Sequence, residues 1–350
     1  MEFEPLLGIW TSAVQVHPYQ LVPVVRALQM PRVSLLLADG VGLGKTIQSG
    51  LILQELILRR KIRRVLILCP ALLQRQWKRE MSLKFNLEFD IIDSESTFEI
   101  RRRLGIDTNP WKAFPRIITS MDYLRMPDVL QQFVQASGID TASASSNGHD
   151  APAAPWDLLV VDECHNFAPQ NSRRASQRHQ MLREIRFLFE HRLFLSATPH
   201  NGKTVSFTGL LELLDPVRFQ IHAQMSDHDR VNLEEVKVRR LKEDIKKYTL
   251  RPPFSDFLDP KEIAVDLTSA EVELFTAMRE YRKHGQAYLE SSGNAQERWM
   301  GHFVFSVLTK RLLSGSFAFA RTWWRHYITC LMRSTMLSSI IAGWKIRLAA

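Results

Sequence analysis

The chain has 350 residues, of which 45% are hydrophobic and 24% charged, so a sizeable buried core is expected. Its formal net charge of +9 indicates a polyanionic partner, most commonly nucleic acid, although a generic basic protein has the same balance. Three widely spaced cysteines indicate neither a disulfide framework nor a zinc cluster. No secretory signal is expected, and the longest uncharged run near the C-terminus, residues 334–344, is far short of the roughly 20 residues that span a bilayer. A cytoplasmic protein without a membrane partner is expected.

Residues 34–215 alternate between short apolar runs and longer amphipathic stretches. The apolar runs are unbroken, as in strands buried on both faces, and the stretches at 46–60 and 72–85 have helical spacing. Strand and helix repeated in this way predict an α/β fold with a parallel sheet wrapped by helices. The predicted strands are residues 34–39, 64–70, 89–93, 116–120, 157–163 and 192–198.

The first predicted strand runs into a glycine-rich turn, LLLADGVGLGKT, which a predicted helix follows. Glycines here let backbone N–H groups approach phosphate oxygens, and the positive end of the helix dipole points to the same place. Lys45 can reach the β- and γ-phosphates of a nucleotide, and Thr46 offers a hydroxyl to Mg²⁺. Asp39 stands where the strict motif has its first glycine, and an ordinary glycine-rich turn is the alternative. The predicted ATP- and phosphate-binding residues of this loop are Gly42, Leu43, Gly44, Lys45 and Thr46.

A pair of carboxylates, Asp162 and Glu163, stands at the C-terminal end of the fifth predicted strand. In an open parallel sheet this end of the strands forms the ligand-binding edge. Asp162 is suited to hold Mg²⁺, and Glu163 to orient and deprotonate an attacking water. Such a pair is also typical of a solvated strand end, but the phosphate loop upstream favours the catalytic interpretation. The predicted catalytic residues are Lys45, Asp162 and Glu163, with Thr46 and Asp162 as magnesium ligands.

With both motifs in place, the chain resembles the Swi/Snf-type ATPases of helicase superfamily 2, and specifically their RapA-like branch. LADGVGLGKT at residues 37–46 is similar to the family's LADEVGLGKT, with Gly40 in place of an acidic residue, and DECH at 162–165 resembles the DEAD/DEAH box. Residues 207–219 and 238–245 look most like DrmD, the helicase-like component of the bacterial DISARM antiphage system. The resemblance covers residues 15–325 and implies a RecA-like lobe that uses ATP and Mg²⁺.

The resemblance also implies roles for residues outside the glycine-rich loop and the Asp162–Glu163 pair. In HPYQ at residues 17–20, Gln20 is the expected reader of adenine, although a solvated helix residue is the alternative. LILCPALLQRQW at residues 66–77 is similar to the segment that contacts the nucleic-acid backbone, which makes Arg75 and Gln76 the expected contacts.

SATPHNG at residues 196–202 is similar to the family motif that couples hydrolysis to strand movement. Ser196 and Thr198 supply its hydroxyls, and strand-end caps are the alternative for them. The expected coupling residues are His165, Ser196, Ala197 and Thr198.

Four regions are predicted along the chain. An N-terminal helical segment with the adenine-reading motif spans 1–33, and the RecA-like lobe spans 34–216 with a disordered loop at 138–155. A mostly helical region at 217–325 is expected to lead toward a second lobe, and 326–350 is an atypical tail. The family's second lobe supplies arginines in a Gly-Arg-x-x-Arg pattern, which residues 216–350 do not contain. A truncated protein with only the first lobe is therefore expected.

Three functions agree with these observations. The first is an ATP-hydrolysing double-stranded DNA translocase of the DISARM defence system, with a methyltransferase among its partners. The second is a truncated module that binds nucleotide and nucleic acid and turns over little. The third is a RapA-like ATPase associated with RNA polymerase. The first two differ by the missing arginines, and the first and third by partners that the sequence does not identify.

Overall fold

The computed structural model describes residues 5–138, 155–169, 176–200, 202–248, 266–291 and 295–333. The chain divides into two compact units, Met1–Asp256 and Phe257–Ala350. The predicted disordered loop lies outside the described residues except for Gly138 and Pro155. Of the predicted tail, residues 326–333 belong to a helix and residues 334–350 lie outside the described part.

The first unit is built on a seven-stranded sheet in which every paired strand is parallel, in the order β3-β4-β2-β5-β6-β1-β7. The prediction of an α/β fold with a RecA-like parallel sheet and flanking helices is confirmed. Six strands correspond to the six predicted apolar runs, and the seventh was not predicted. The strands are β1 (Ser34–Leu37), β2 (Val65–Cys69), β3 (Asp90–Ile92), β4 (Arg116–Ser120), β5 (Trp156–Val161), β6 (Phe189–Leu195) and β7 (Lys237–Val238).

Helices connect the strands of the first unit and make up the described part of the second. The α-helices of the first unit are α1 (Gly8–Thr11), α2 (Pro18–Gln29), α3 (Lys45–Leu58), α4 (Gln74–Phe85), α5 (Ser94–Leu104), α6 (Pro110–Ala113), α7 (Met121–Leu124), α8 (Pro127–Ala136), α9 (Gln177–Ile185), α10 (Thr204–Leu214), α11 (Asp227–Val236) and α12 (Lys242–Tyr248). Short 3₁₀ turns occupy Ala71–Leu73, Cys164–Phe167 and Arg186–Leu188. The second unit contains α13 (Ser269–Ser291), α14 (Ala295–Ser314) and α15 (Ser316–Arg333).

Both faces of the sheet are buried, which explains why the strand sequences are apolar without alternation. In β1, Leu35 and Leu37 pack into one core cluster while Leu36 packs into the other. The first cluster is completed by apolar side chains of α2, α3 and α4, and the second by those of α8, α9 and α10. Each fully buried leucine stabilises the fold by roughly 1.5–3 kcal/mol, so the sheet is a rigid support for the loops at its edges.

Strand β7 extends the first unit beyond residue 216, where the sequence predicts the lobe to end. Val238 is paired with Leu37 of β1, and its side chain is buried in the core that α2 and α3 cover. Arg26 of α2 donates hydrogen bonds at 2.8 Å to the carbonyl oxygens of Glu234 and Lys237. A two-residue strand inside a charged segment has no hydrophobic pattern of its own, so only its partners reveal it.

The described part of the second unit is helical, as predicted for the region after the lobe. Met278 of α13, Leu308 and Leu312 of α14 and Phe319 of α15 form its small core. Within the described ranges, none of the helices is both long and apolar enough to cross a membrane.

Candidate nucleotide-binding site

The phosphate loop begins where β1 ends and closes where α3 begins at Lys45. Gly42 and Gly44 have φ angles of +82° and +80°, in the left-handed region that favours glycine. A Cβ atom on Gly44 would lie 2.6 Å from the Nε2 atom at the end of the Gln20 side chain, which would have to move. The glycines leave the loop without side chains at these turns, so its backbone N–H groups and those at the start of α3 can face a ligand.

Lys45 lies across the loop that precedes it. Its Nζ atom donates to the carbonyl oxygens of Asp39 at 3.0 Å and Gly40 at 3.5 Å. Burial lowers the pKa of the Lys45 ammonium, and the nearby carboxylates, Glu163 above all, oppose that shift. The ammonium is thus half-buried. It lies within electrostatic reach of Asp162 and Glu163, which together are called the acidic box below. Thr46 is the second residue of α3, which places its hydroxyl at the same helix end.

Asp39 occupies the first-glycine position of the loop, and its side chain is completely buried. Its Oδ2 atom accepts a hydrogen bond from Gln48 Nε2 at 2.8 Å. Gln48 also donates to the carbonyl oxygen of Leu43 at 3.3 Å. Arg240, which follows β7, forms a salt bridge with the same carboxylate at 2.6 Å. Asp39 can therefore replace the first glycine of the strict motif, because Gln48 and Arg240 bind its buried carboxylate.

Asp162 directly follows β5 and is held by two neutral donors. Trp77 of α4 donates from its indole Nε1 to Oδ2 at 2.8 Å, and the backbone N–H of Glu163 donates to Oδ1 at 2.9 Å. Burial raises the pKa of the Asp162 carboxyl, while the Trp77 hydrogen bond, the Glu163 N–H and Lys45 oppose that shift. These donors orient the carboxylate, which makes no salt bridge with any side chain in the described part of the chain.

Glu163 is connected to the coupling motif through His165. Glu163 adopts a left-handed backbone conformation with φ +48°, and a 3₁₀ turn starts after it. The Nδ1 atom of His165 lies 3.2 Å from Glu163 Oε2 and 3.0 Å from Ser196 Oγ. Ser196 is buried, and its Oγ accepts a hydrogen bond from the backbone N–H of Thr198 at 3.2 Å. Ala197 lies between these two residues on the loop after β6, so the structure joins the predicted coupling residues to Glu163.

The sheet order brings the two boxes to one edge. Strand β6 lies between β1 and β5, so the phosphate loop, the Ser196 loop and the acidic box follow three neighbouring parallel strands. The backbone N–H of Ser196 donates to the carbonyl oxygen of Leu37 at 3.1 Å, and that of Asp162 to Leu68 at 2.8 Å. These contacts fix the loops to the strand ends, which is where ligands bind in this class of sheet.

Gln20 lies at the start of α2, beside the phosphate loop. Its Nε2 atom donates to the carbonyl oxygen of Leu43 at 3.4 Å, and its Oε1 atom accepts from the backbone N–H of His17 at 3.1 Å. Gln20 is buried rather than solvated, so the alternative of a solvated helix residue does not describe its position.

Arg75 and Gln76 are exposed at the start of α4, after β2. Gln76 donates to Glu80 at 3.0 Å along the helix surface. Trp77 is the next residue of the same helix, and it contacts Asp162. The residues predicted to contact nucleic acid, Arg75 and Gln76, therefore directly precede the residue of α4 that hydrogen-bonds to Asp162.

The donor set fits Mg²⁺ bound together with phosphates. Across the described ranges, no group of three or more His, Cys, Asp and Glu side chains could hold a metal ion. Mg²⁺ usually takes one or two protein carboxylates and completes its ligands with waters and substrate phosphates. Thr46 and Asp162 are the residues that would contact it here.

The sequence predicted neither Trp77 as part of this site nor a contact between Arg240 and Asp39. Trp77 belongs to an i, i+4, i+8 stripe with Met81 and Phe85, which indicates an ordinary core face. Because a buried indole N–H needs an acceptor, the position of Trp77 on this stripe was the one signal that could have indicated a polar partner. Arg240 lay in a charged segment that the sequence predicted to be helical, and no local pattern connects it with Asp39.

Three comparisons with known proteins bear on this site. A model of the SNF2-related domain family matches residues 17–312. The RNA polymerase-associated protein RapA of Photobacterium profundum is 35% identical over 228 residues, which cover 65% of this chain and 21% of that protein. RapA of Yersinia enterocolitica is 35% identical over 215 residues, covering 61% and 20%. The chain thus spans about a fifth of the length of these relatives. A Sulfolobus solfataricus SWI2/SNF2 ATPase core in complex with double-stranded DNA has 18% identity and a TM-score of 0.47, over 88% of this chain and 59% of that one.

Proposed function

The chain belongs to the SNF2-related domain family, and from this premise we propose that it binds Mg·ATP at the site described above and hydrolyses it as the first RecA-like lobe of a DNA translocase. The observation that carries the proposal is the meeting of the phosphate loop and the acidic box at one sheet edge, with the ammonium of Lys45 within electrostatic reach of Glu163. A phosphate loop alone indicates nucleotide binding, whereas the added carboxylate supplies a base for hydrolysis.

Each residue has a role that follows from its position. Lys45 and the backbone N–H groups of the loop bind the phosphates, because an ammonium and a helix start both favour negative charge. Thr46 and Asp162 would hold Mg²⁺, which when bound neutralises charge on the β- and γ-phosphates. Glu163 accepts the proton of the attacking water, and His165 keeps its carboxylate oriented.

Substitution of Lys45 tests nucleotide binding directly. In Lys45→Ala the loop keeps its backbone donors but loses the charge, so Mg·ATP affinity should fall at least about tenfold. Isothermal calorimetry on the purified chain measures this affinity. Lys61→Ala removes an exposed lysine before β2 and serves as the matched control that should bind normally. Equal affinity of the Lys45→Ala variant and the unchanged chain would overturn the proposal.

The proposed polyanionic partner is double-stranded DNA. The net charge of +9 favours a nucleic acid, and Arg75 and Gln76 are exposed where the family resemblance expects backbone contacts. Phosphate contacts release counterions, so the affinity should fall steeply with salt. Duplex binding measured by fluorescence anisotropy at several salt concentrations checks this, with Arg75→Ala expected to lower both the affinity and the salt slope. A slope unchanged by Arg75→Ala would remove that residue from the interface.

Hydrolysis by the 350 residues alone is proposed to be slow. Residues 217–325 are proposed to lead toward a second lobe, whose arginines act on the γ-phosphate in such motors. Arginine contacts of that kind can contribute about 10³–10⁵ in rate. A steady-state ATPase assay with and without duplex DNA distinguishes the two cases. Measurable ATP binding with a background rate fits a lone lobe or binding module, whereas a strong DNA-stimulated rate lost in Lys45→Ala would contradict the need for further arginines.

For the biological role we propose a component of the DISARM defence system, with a methyltransferase among its partners. The support is the resemblance of residues 207–219 and 238–245 to DrmD. Phage plating on bacteria that carry the full reading frame and its neighbours tests the role, and Glu163→Gln should remove the protection. Equal plating with and without this gene would contradict a defence role.

Association with RNA polymerase is the second candidate function. It is favoured by 35% identity with the RNA polymerase-associated protein RapA, although the chain spans only about a fifth of that protein. Co-sedimentation of the purified chain with core RNA polymerase tests it. Stoichiometric binding would favour this candidate over the defence role, and the absence of binding would favour the translocase in defence.

A further inference from the structure

We infer that Arg240 is a positioning residue of the nucleotide site, which joins the phosphate loop to the helix of Gln20 and cancels the charge of Asp39 beside the bound phosphates. The inference rests on the proposed ATP binding, and it deepens that proposal by assigning a residue far from both boxes.

The first observation is the pairing of two charges at the start of the phosphate loop. Asp39 is completely buried, and the Arg240 side chain is only 17% exposed. Arg240 donates from Nε to Asp39 Oδ1 at 3.1 Å and from Nη2 to Oδ2 at 2.6 Å. This two-point contact matches the planar guanidinium to both carboxylate oxygens, which the single ammonium of a lysine does not reproduce.

The charge of Asp39 matters because the same loop is proposed to bind a triphosphate. An unpaired carboxylate buried within a few residues of the phosphates would repel them through a medium that screens poorly. Arg240 supplies the compensating positive charge, while Gln48 contributes only a neutral hydrogen bond to Oδ2. Lys45 Nζ contacts the carbonyl oxygen of Asp39 rather than its carboxylate, so its charge stays directed to the loop.

The second observation concerns the helix that carries Gln20. Pro23 lies inside α2 and has no N–H, so the carbonyl oxygen of Tyr19, four residues earlier, has no helical donor. Arg240 fills this position by donating from Nη1 to the Tyr19 oxygen. One guanidinium therefore contacts α2 next to Gln20 and the phosphate loop at the same time.

The backbone on either side strengthens this connection. The N–H of Ala38 donates to Val238 at 2.7 Å, and the N–H of Gly40 donates to the carbonyl oxygen of Arg240 at 2.9 Å. These bonds attach the end of β7 to the first residues of the loop. The Arg240 side chain adds its own contacts with Asp39 and Tyr19 to these backbone bonds.

The test is a set of five variants of the full chain: Arg240→Gln, Arg240→Lys, Asp39→Asn, the double Asp39→Asn/Arg240→Gln, and Arg239→Gln as a matched control on an exposed neighbour. Affinities for ATP, ADP and AMP are measured by calorimetry, and thermal unfolding is followed without nucleotide. Arg240→Gln should weaken ATP binding about tenfold or more because it leaves a buried charge unpaired. The loss should decrease from ATP to ADP to AMP, since the repulsion grows with the number of phosphate charges.

The double variant separates charge from packing. Asp39→Asn/Arg240→Gln removes both charges but also the contact with Tyr19, so ATP affinity should recover until the remaining loss is equal for ATP, ADP and AMP. Arg240→Lys keeps the charge but not the two-point contact, so it should lower the three affinities equally. If Arg240→Gln does not fold, the double variant should still fold and bind ATP, and its failure to do so would overturn the inference.

The measurements distinguish a failure of the proposed ATP binding from a failure of the role assigned to Arg240. If the unchanged chain binds ATP in a Lys45-dependent manner and Arg240→Gln behaves like Arg239→Gln, only this inference is overturned. An equal loss for all three nucleotides in Arg240→Gln, with no recovery in the double variant, would also overturn it. If the unchanged chain binds no ATP, the proposed function is contradicted, and so is the role of Arg240, which depends on it.

Discussion

Asp39 and Asp162 are two aspartates that lie near Lys45 at the same edge of the sheet, after β1 and β5, and their partners differ. Asp39 is completely buried and receives two hydrogen bonds from the guanidinium of Arg240. Asp162 receives its hydrogen bonds from an indole N–H and a backbone N–H, both of them neutral. The first carboxylate is thus neutralised by a side chain of the protein, and the second is only oriented.

Because their partners differ, Asp39 and Asp162 are expected to have different roles in the site. A paired carboxylate has little charge left for a cation, so we expect Asp39 to stabilise the loop and not to bind Mg²⁺. A carboxylate that makes no salt bridge within the described residues keeps its charge for a ligand, at the cost of burial, which raises the pKa of Asp162. Magnesium binding and catalysis should therefore depend on the acidic box, and loop geometry should depend on Asp39.

The largest expected effect is at Glu163, the proposed general base of the acidic box. Glu163→Gln keeps the size of the side chain but removes its ability to accept a proton. ATP affinity should change little, while any single-turnover hydrolysis above background in the unchanged chain should be lost, because a general base contributes about 10²–10⁴ in rate. Rapid-quench measurements on the unchanged chain and the variant, with calorimetry alongside, provide the check. Loss of binding with hydrolysis per bound nucleotide retained would mean that Glu163 is not the base.

The next effect separates the two aspartates directly. Asp162→Asn should raise the Mg²⁺ concentration needed for half-maximal ATP binding by about tenfold, because the charged ligand becomes neutral. Asp39→Asn should leave the Mg²⁺ requirement within about twofold, because its charge is already compensated. Fluorescent ATP titrated at a series of Mg²⁺ concentrations measures both. A similar shift in the two variants would show that the two carboxylates are not divided in this way.

Trp77 should have a smaller effect through the orientation of Asp162. Trp77→Phe keeps an aromatic ring in the core but removes the indole donor to Oδ2. The indole hydrogen bond orients Asp162 but does not supply its charge, so the Mg²⁺ requirement should rise only several-fold, less than in Asp162→Asn. The affinity for ATP without Mg²⁺ should not change. If that affinity falls equally, Trp77 acts through packing and not through Asp162.

The sequence predicted the sheet and both boxes because their signals are local. Six apolar runs correspond to β1–β6, and Lys45 and Glu163 belong to short motifs with a recognisable order. The contacts that orient the two aspartates are not local, since Trp77 is 85 residues from Asp162 and Arg240 is 201 residues from Asp39. A residue whose partner is brought close only by the fold leaves no periodic trace in the sequence. The same reason explains why β7 was not predicted.

The smallest expected effect is on stability in mild acid, where buried histidines and Asp162 act with opposite signs. Burial lowers the pKa of His179 and His191, and His191 Nδ1 accepts a hydrogen bond from Val33 N–H, which requires an unprotonated nitrogen. Between the ordinary histidine pKa of about 6.5 and the lowered values, the unfolded chain binds more protons. The free energy of unfolding should therefore fall as pH decreases through about 6.5.

Asp162 opposes this trend because its raised pKa lets the folded chain take up a proton before the unfolded chain does. Protonation of Asp162 thus adds stability as pH falls toward its raised pKa, and Asp162→Asn removes that contribution. Thermal unfolding between pH 7.5 and about pH 5 should show a steeper loss of stability in Asp162→Asn than in the unchanged chain, and a shallower one in His191→Gln. Parallel slopes in all three proteins would mean that neither the histidines nor Asp162 carries the pH dependence.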